Sequence, residues 1–152
     1  MSNPSPSERS SPRRYDDVLG YLLKHAHLAL EARTDAALGP LGVTSRDMGV
    51  LRVIVEGEAR SQQEVAAVLG VDRTSMVALL DTLEREGIVA RHPSEQDRRR
   101  NVIELTEAGR KVFTEAERAS LAVEREFVGS LGVDGANELR AALRSLLAAT
   151  SQ

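Results

Sequence analysis

The chain has 152 residues, 41% hydrophobic and 28% charged, with a formal net charge of −3 and no cysteine. Such a length suits one domain with one core, and the balance is that of an ordinary globular protein. The lack of cysteine removes disulfides, thiol catalysis, thiol redox sensing and cysteine-based zinc sites together.

Residues 1–14 are rich in Ser, Pro and Arg and have no apolar periodicity, so they read as a disordered arm. They contain no apolar stretch of a secretory leader, which makes the cytoplasm the expected location. The longest apolar runs, such as 65–71, are far too short to cross a bilayer, so no membrane partner is expected. Residues 15–150 read as a single domain.

The spacing of Leu19, Leu22, Leu23, Ala26, Ala29 and Leu30 predicts a helix over 16–38, with Asp16 and Asp17 at its positive end. Gly39, Pro40 and Gly42 stop it. A second helix over 45–56 starts from Thr44 with Asp47 three residues on, and buries Met48, Leu51, Ile54 and Val55. A third starts at the Ser61-x-x-Glu64 pair and ends at Gly70. A fourth follows the cap Asp72 and runs to residue 86, with Met76, Leu79, Leu80 and Leu83 on one face. A β-hairpin comes next, with strands at 88–91 and 102–105 and a polar loop between. A long helix over 106–129 and a last one to residue 149 complete the order ααααββαα. The fold class is mainly α (α+β).

The stretch 62–80 carries the most functional information. Two short helices meet at Gly70-Val71, with small Ala66 at the crossing and a glycine at the bend: a helix-turn-helix. Such a pair can lay its second helix in a major groove, with Arg73, Thr74, Ser75, Val77 and Ala78 outward and Ser61 and Gln62 at the head of the first helix. An ordinary helical hairpin is the plain alternative. The hairpin loop shifts the balance. Arg98, Arg99 and Arg100 are adjacent and repel one another, so placing them at a tip gains nothing without an anionic partner; guanidinium groups suit phosphates and the minor groove. Asp97 is positioned to orient Arg99. The arm's Arg9, Arg13 and Arg14 are further backbone candidates.

The run Asp97-Arg98-Arg99-x-x-Val102-x-x-Leu105-Thr106-Glu107-x-Gly109 resembles the wing and following helix of the MarR family, the multiple antibiotic resistance regulators. Leu83-Glu84-x-x-Gly87-Ile88-Val89 resembles the family's exit from the recognition helix. The resemblance covers all but the arm. It implies a winged helix-turn-helix lobe at 44–105 and a dimerisation lobe from 15–38 and 106–150. It also implies an obligate homodimer on a pseudo-palindromic double-stranded DNA site, with Arg99 entering the minor groove. Repression is the commoner mode among relatives. Ala78 and Thr82 stand where many relatives carry Arg or Lys.

Relatives bind aromatic acids in a crevice between the lobes, so a small effector is implied. The residues considered for it are Tyr15, His25, Met48, Arg52 and Phe113, each with plain packing as the alternative. A metal is not expected: His25 and His27 are two apart and point to different helix faces. No cofactor motif is present. An enzyme would need a converging nucleophile, base or metal set, and none of the usual motifs occurs. The other alternative is a non-regulatory DNA-binding or helical interaction module.

Overall fold

The computed structural model describes residues 13–57 and 60–150. Arg9 and most of the arm lie outside them. The chain opens with a single 3-10 turn, Tyr15–Asp17. The helices α1 (Leu19–Leu38) and α2 (Ser45–Glu56) follow, then a two-residue strand β1 (Arg60–Ser61), α3 (Gln62–Leu69) and α4 (Arg73–Arg85). Strands β2 (Val89–Pro93) and β3 (Asn101–Leu105) precede α5 (Glu107–Phe127) and α6 (Gly132–Thr150). The predicted ααααββαα order therefore gains one short strand.

That strand pairs antiparallel with β3, Arg60 opposite Ile103 and Ser61 opposite Val102, so the sheet runs β1-β3-β2. Its two residues are too few for a period-2 signal to stand out in sequence. The hairpin register joins Val89 to Leu105 and Pro93 to Asn101.

The core sits where α2, α3, α4 and the root of the sheet meet. Met48, Leu51, Val65, Met76, Leu80, Leu83 and Ile103 are all fully buried there. Ala116 is also in this cluster, and Val112, Phe113 and Ala119 of α5 pack against it. At the start of α2, the Thr44 hydroxyl accepts from the Asp47 N–H and the Asp47 carboxylate accepts from the Thr44 N–H at 2.8 Å. Each group satisfies one of the donors that a helix start leaves open. A carboxylate oxygen of Asp35, near the end of α1, accepts from the Ser45 N–H at 2.6 Å and ties α1 to α2.

Two expectations are corrected. Asp16 does not serve the positive end of α1. The helix starts at Leu19 after extended Val18, with no acidic residue in its first turn. Asp16 instead takes Arg14, with N···O distances of 3.0 and 3.1 Å, and this partner holds its carboxyl below the usual range. Val55, expected on the buried face of α2, is 47% exposed. In the single chain the apolar stripe of α1 is also largely uncovered: Leu19, Leu22 and Leu23 are 57%, 47% and 42% exposed. Leu139, Leu146 and Leu147 of α6 are likewise exposed.

Candidate nucleic-acid interface

The turn between α3 and α4 is built by Gly70, whose φ of 61° lies in the left-handed region that glycine enters without penalty. The Val71 N–H reaches back to the Ala66 carbonyl at 3.0 Å, closing α3. Two residues later Asp72 opens α4. Its carboxylate accepts from the Ser75 N–H at 2.9 Å and from the Ser75 hydroxyl at 2.6 Å. These bonds, the hydroxyl's foremost, hold the Asp72 carboxyl below its ordinary range. The inner face of α4 is anchored by fully buried Met76, Leu80 and Leu83. Its leading outer face is open: Arg73, Thr74 and Ala78 are exposed, and Ser75 and Val77 half-buried. Ser75 has committed its hydroxyl proton to Asp72 and keeps only acceptor capacity.

At the head of α3, Ser61 is 8% exposed and its hydroxyl accepts from the Glu64 N–H. It sets the helix start. Half-buried Gln62, with Gln63, Ala66, Arg73 and Met76, lines a shallow groove of about 170 Å³ between α3 and α4.

The wing tip is locked by backbone bonds. The Ser94 N–H reaches the Arg100 carbonyl at 2.8 Å and the Arg100 N–H reaches the Asp97 carbonyl at 2.9 Å. The Asp97 carboxylate accepts from the backbone N–H of Arg99 at 3.0 Å. Asp97 thus fixes the loop backbone and not the guanidinium, which corrects the expectation for this pair. All three arginines are exposed. Arg100 lies 3.9 Å from Glu64 of α3, which keeps the wing beside the helix pair. Arg98 and Arg99 make no ion pair among the described residues. Two uncommitted cations on a rigid loop are suited to an external anion.

Sequence reasoning passed over Arg91. On β2, with its side chain 20% exposed, it lies 2.7 Å from Asp81 and 3.1 Å from Glu84, both on α4. Its own N–H also donates to Glu84 at 3.3 Å. This clamp fixes the wing's base to the back of α4. Thr106 adds a second tie: its hydroxyl donates to the Gly87 carbonyl at 2.5 Å and accepts from the Gly109 N–H at 2.9 Å. Acidic residues at 81 and 84 are one turn apart and face one strand, a signal visible only once the turn at Gly87 is placed.

The five effector candidates do not converge. Met48 is wholly buried core. Phe113 packs against that core from α5. Tyr21 makes a T-shaped pair with Tyr15 and stacks on His25, at centroid distances of 5.4 and 3.8 Å. Arg52 does border a crevice, of about 520 Å³ between α1, α2 and α5. Its guanidinium is held by Glu117 at 2.9 Å.

A family model described as MarR family matches residues 41–100. The chain is 31% identical over 131 residues to an HTH-type transcriptional repressor of Mycobacterium bovis, a match covering 86% of this chain and 94% of the relative. It is 33% identical over 90 residues to a transcriptional regulatory protein for the hcr operon of Thauera aromatica, spanning 54% of that relative. Among solved structures, the transcriptional repressor CouR bound to a 23-mer DNA duplex superposes with a TM-score of 0.78 at 31% identity, over 94% of this chain and 100% of that one. CouR from Rhodococcus jostii bound to p-coumaroyl-CoA gives 0.79 at 30% identity, over 88% of this chain and 94% of that one.

Proposed function

The chain belongs to the MarR family, and from that premise we propose that it is a homodimeric, sequence-specific repressor of transcription that a small organic effector releases from DNA. The observation that carries this reading is the open head of α4 beside a hydrogen-bonded wing whose Arg98 and Arg99 make no ion pair among the described residues. Arg73, with two nitrogens able to bridge guanine O6 and N7, reads bases from the major groove. Thr74, Val77 and Ala78 shape the contact around it. Gln62 touches the flank, and Ser61 holds α3 in place. Arg99 takes the minor groove, while Arg98 and Arg100 take phosphates.

The exposed leucines of α1 and α6 support a dimerisation lobe of 15–38 and 106–150 beside a DNA-binding lobe of 44–105. Two copies of α4 then meet successive major grooves about 34 Å apart on a pseudo-palindromic site. The α1–α2–α5 crevice borders both lobes, and a ligand that prefers a different lobe arrangement shifts the population away from the DNA-competent one. The chain acts by binding and not by catalysis, and its place is the cytoplasm. No helix among the described residues is long and apolar enough to cross a membrane.

Selection of binding sites from random duplexes tests the reading. An inverted-repeat consensus that outcompetes random DNA at physiological salt is the expected outcome. Uniform binding with only a steep salt slope refutes it in favour of a sequence-neutral binder.

A further inference from the structure

Arg85, in the last turn of α4, is an exposed cation with no role in the reading above. At about 100° per residue it falls within about 20° of Thr74 and Ala78 around the helix. That is the open face, opposite buried Met76, Leu80 and Leu83. Its side chain folds back along this face, and a guanidinium nitrogen donates to the Thr82 hydroxyl at 3.1 Å. The hydroxyl is free to accept because its own proton goes to the Ala78 carbonyl, also at 3.1 Å. Arg85 is thus held in direction by a neutral group, and its charge is not compensated.

The acids of α4 give a second, independent observation. A carboxylate four residues earlier on a helix is the ordinary partner of an arginine, and here that residue is Asp81. Asp81 lies instead 2.7 Å from Arg91, and Glu84 lies 3.1 Å from the same side chain. With both acids engaged on the wing's base, Arg85 makes no ion pair among the described residues. Its position suits an external anion. Arg85 follows Thr74 by about 16 Å along the helix axis, whereas a major groove is about 12 Å wide. A helix whose head lies on the bases therefore has its far end at the rim of the groove, where the anions are phosphates.

We propose that Arg85 is a phosphate contact, oriented by Thr82 and kept free by the Arg91 clamp, which anchors the far end of α4 on the DNA backbone. This rests on the DNA-binding reading above and extends the footprint beyond the head of α4 and the wing. Phosphates are alike at every base pair, so the contact adds affinity and fixes register without choosing a base. A cation that only complements the negative end of a helix would support the fold and leave the salt dependence of binding alone.

Salt titrations of the full chain against two labelled duplexes, one carrying the selected site and one random, test this. Arg85→Gln should weaken both by a similar factor, about threefold to tenfold at physiological salt, and lower the salt slope by about 1 per protomer. Thr82→Arg added to Arg85→Gln returns a cation to the same spot and should restore the slope. Thr82→Val alone should weaken binding about twofold and keep the slope, since the charge stays but its tether is lost. The proposal is overturned if Arg85→Gln leaves the slope unchanged, if the double variant fails to regain it, or if Thr82→Val binds as tightly as wild type. A lower melting midpoint with an untouched slope assigns Arg85 to the helix end instead. Wild-type protein that binds both duplexes equally sinks sequence-specific recognition, yet a slope that still falls in Arg85→Gln keeps the phosphate contact.

Discussion

Arg73 and Arg99 are both exposed arginines, yet they stand in different physical settings. Arg73 sits in the first turn of a helix pinned from below by Met76, so its direction is set by α4. Arg73→Ala should cost about 1–3 kcal/mol at the preferred site and relax the choice of base at one position per half-site. An unchanged consensus in a repeat selection refutes that role. Arg99→Ala should weaken binding, most at sites with a narrow minor groove, and lower the salt slope by about 1 per wing, read from a salt titration.

Asp72 allows a pH test. Its carboxyl is held below the ordinary range by Ser75. A native value below the unfolded one means the carboxylate stabilises the fold above the unfolded value, about 3.9, and that this is lost as pH falls through the native value. The melting difference between wild type and Asp72→Asn should therefore be flat from neutral pH to about 5 and close below about 4.

Among the elements, the wing depends most on others. A two-stranded hairpin is marginal alone. Here β1 pairs along its inner edge and Arg91 ties its base to Asp81 and Glu84. Arg91→Met should lower stability by only about 1–2 kcal/mol, since both carboxylates are part-exposed. It should also reduce the DNA salt slope although Arg91 need not touch DNA. An unaltered slope in a salt titration rejects the clamp as a positioning device.

This element also marks where sequence reading succeeds and where it stops. The caps at Thr44, Ser61 and Asp72 and the helix-turn-helix bend at Gly70 were legible, because capping and chain reversal are local. The pairing of β1 with β3 and the Arg91 clamp were not, because they join residues whose proximity follows only from the assembled fold. Asp97 was placed correctly beside Arg99, but which atoms meet is a matter of loop geometry that residue spacing does not give. For the crevice, Arg52 was one of five candidates; its partner Glu117 is 65 residues away.

At the scale of the whole molecule, one chain leaves apolar surface uncovered on α1 and α6, with Val133, Leu146 and Leu147 at 79%, 52% and 67% exposure. Burying a leucine contributes about 1.5–3 kcal/mol, so a dimer gains several such increments at its centre. Leu22→Glu combined with Leu146→Glu should give monomers in sedimentation and abolish tight operator binding, while the α2–α4 core keeps its helical signal. A stable dimer from that double variant contradicts the assigned lobe.

The backbone at Ile88 has a mechanical consequence. Its carbonyl accepts from the Thr106 N–H at 3.0 Å, and Gly109 lies so close to it that no side chain fits between. Gly109→Ala should therefore cost about 1–3 kcal/mol in a thermal melt. The same closeness makes this point a fulcrum. The lever on one side is α5, 21 residues or about 31 Å long. The lever on the other is α4, about 20 Å from exit to tip. If α5 and α4 turn as one body about this point, a swing of α5 by a few degrees displaces the far tip of α4 by about 1–2 Å, so a tremor in one helix is felt at the end of the other without either bending.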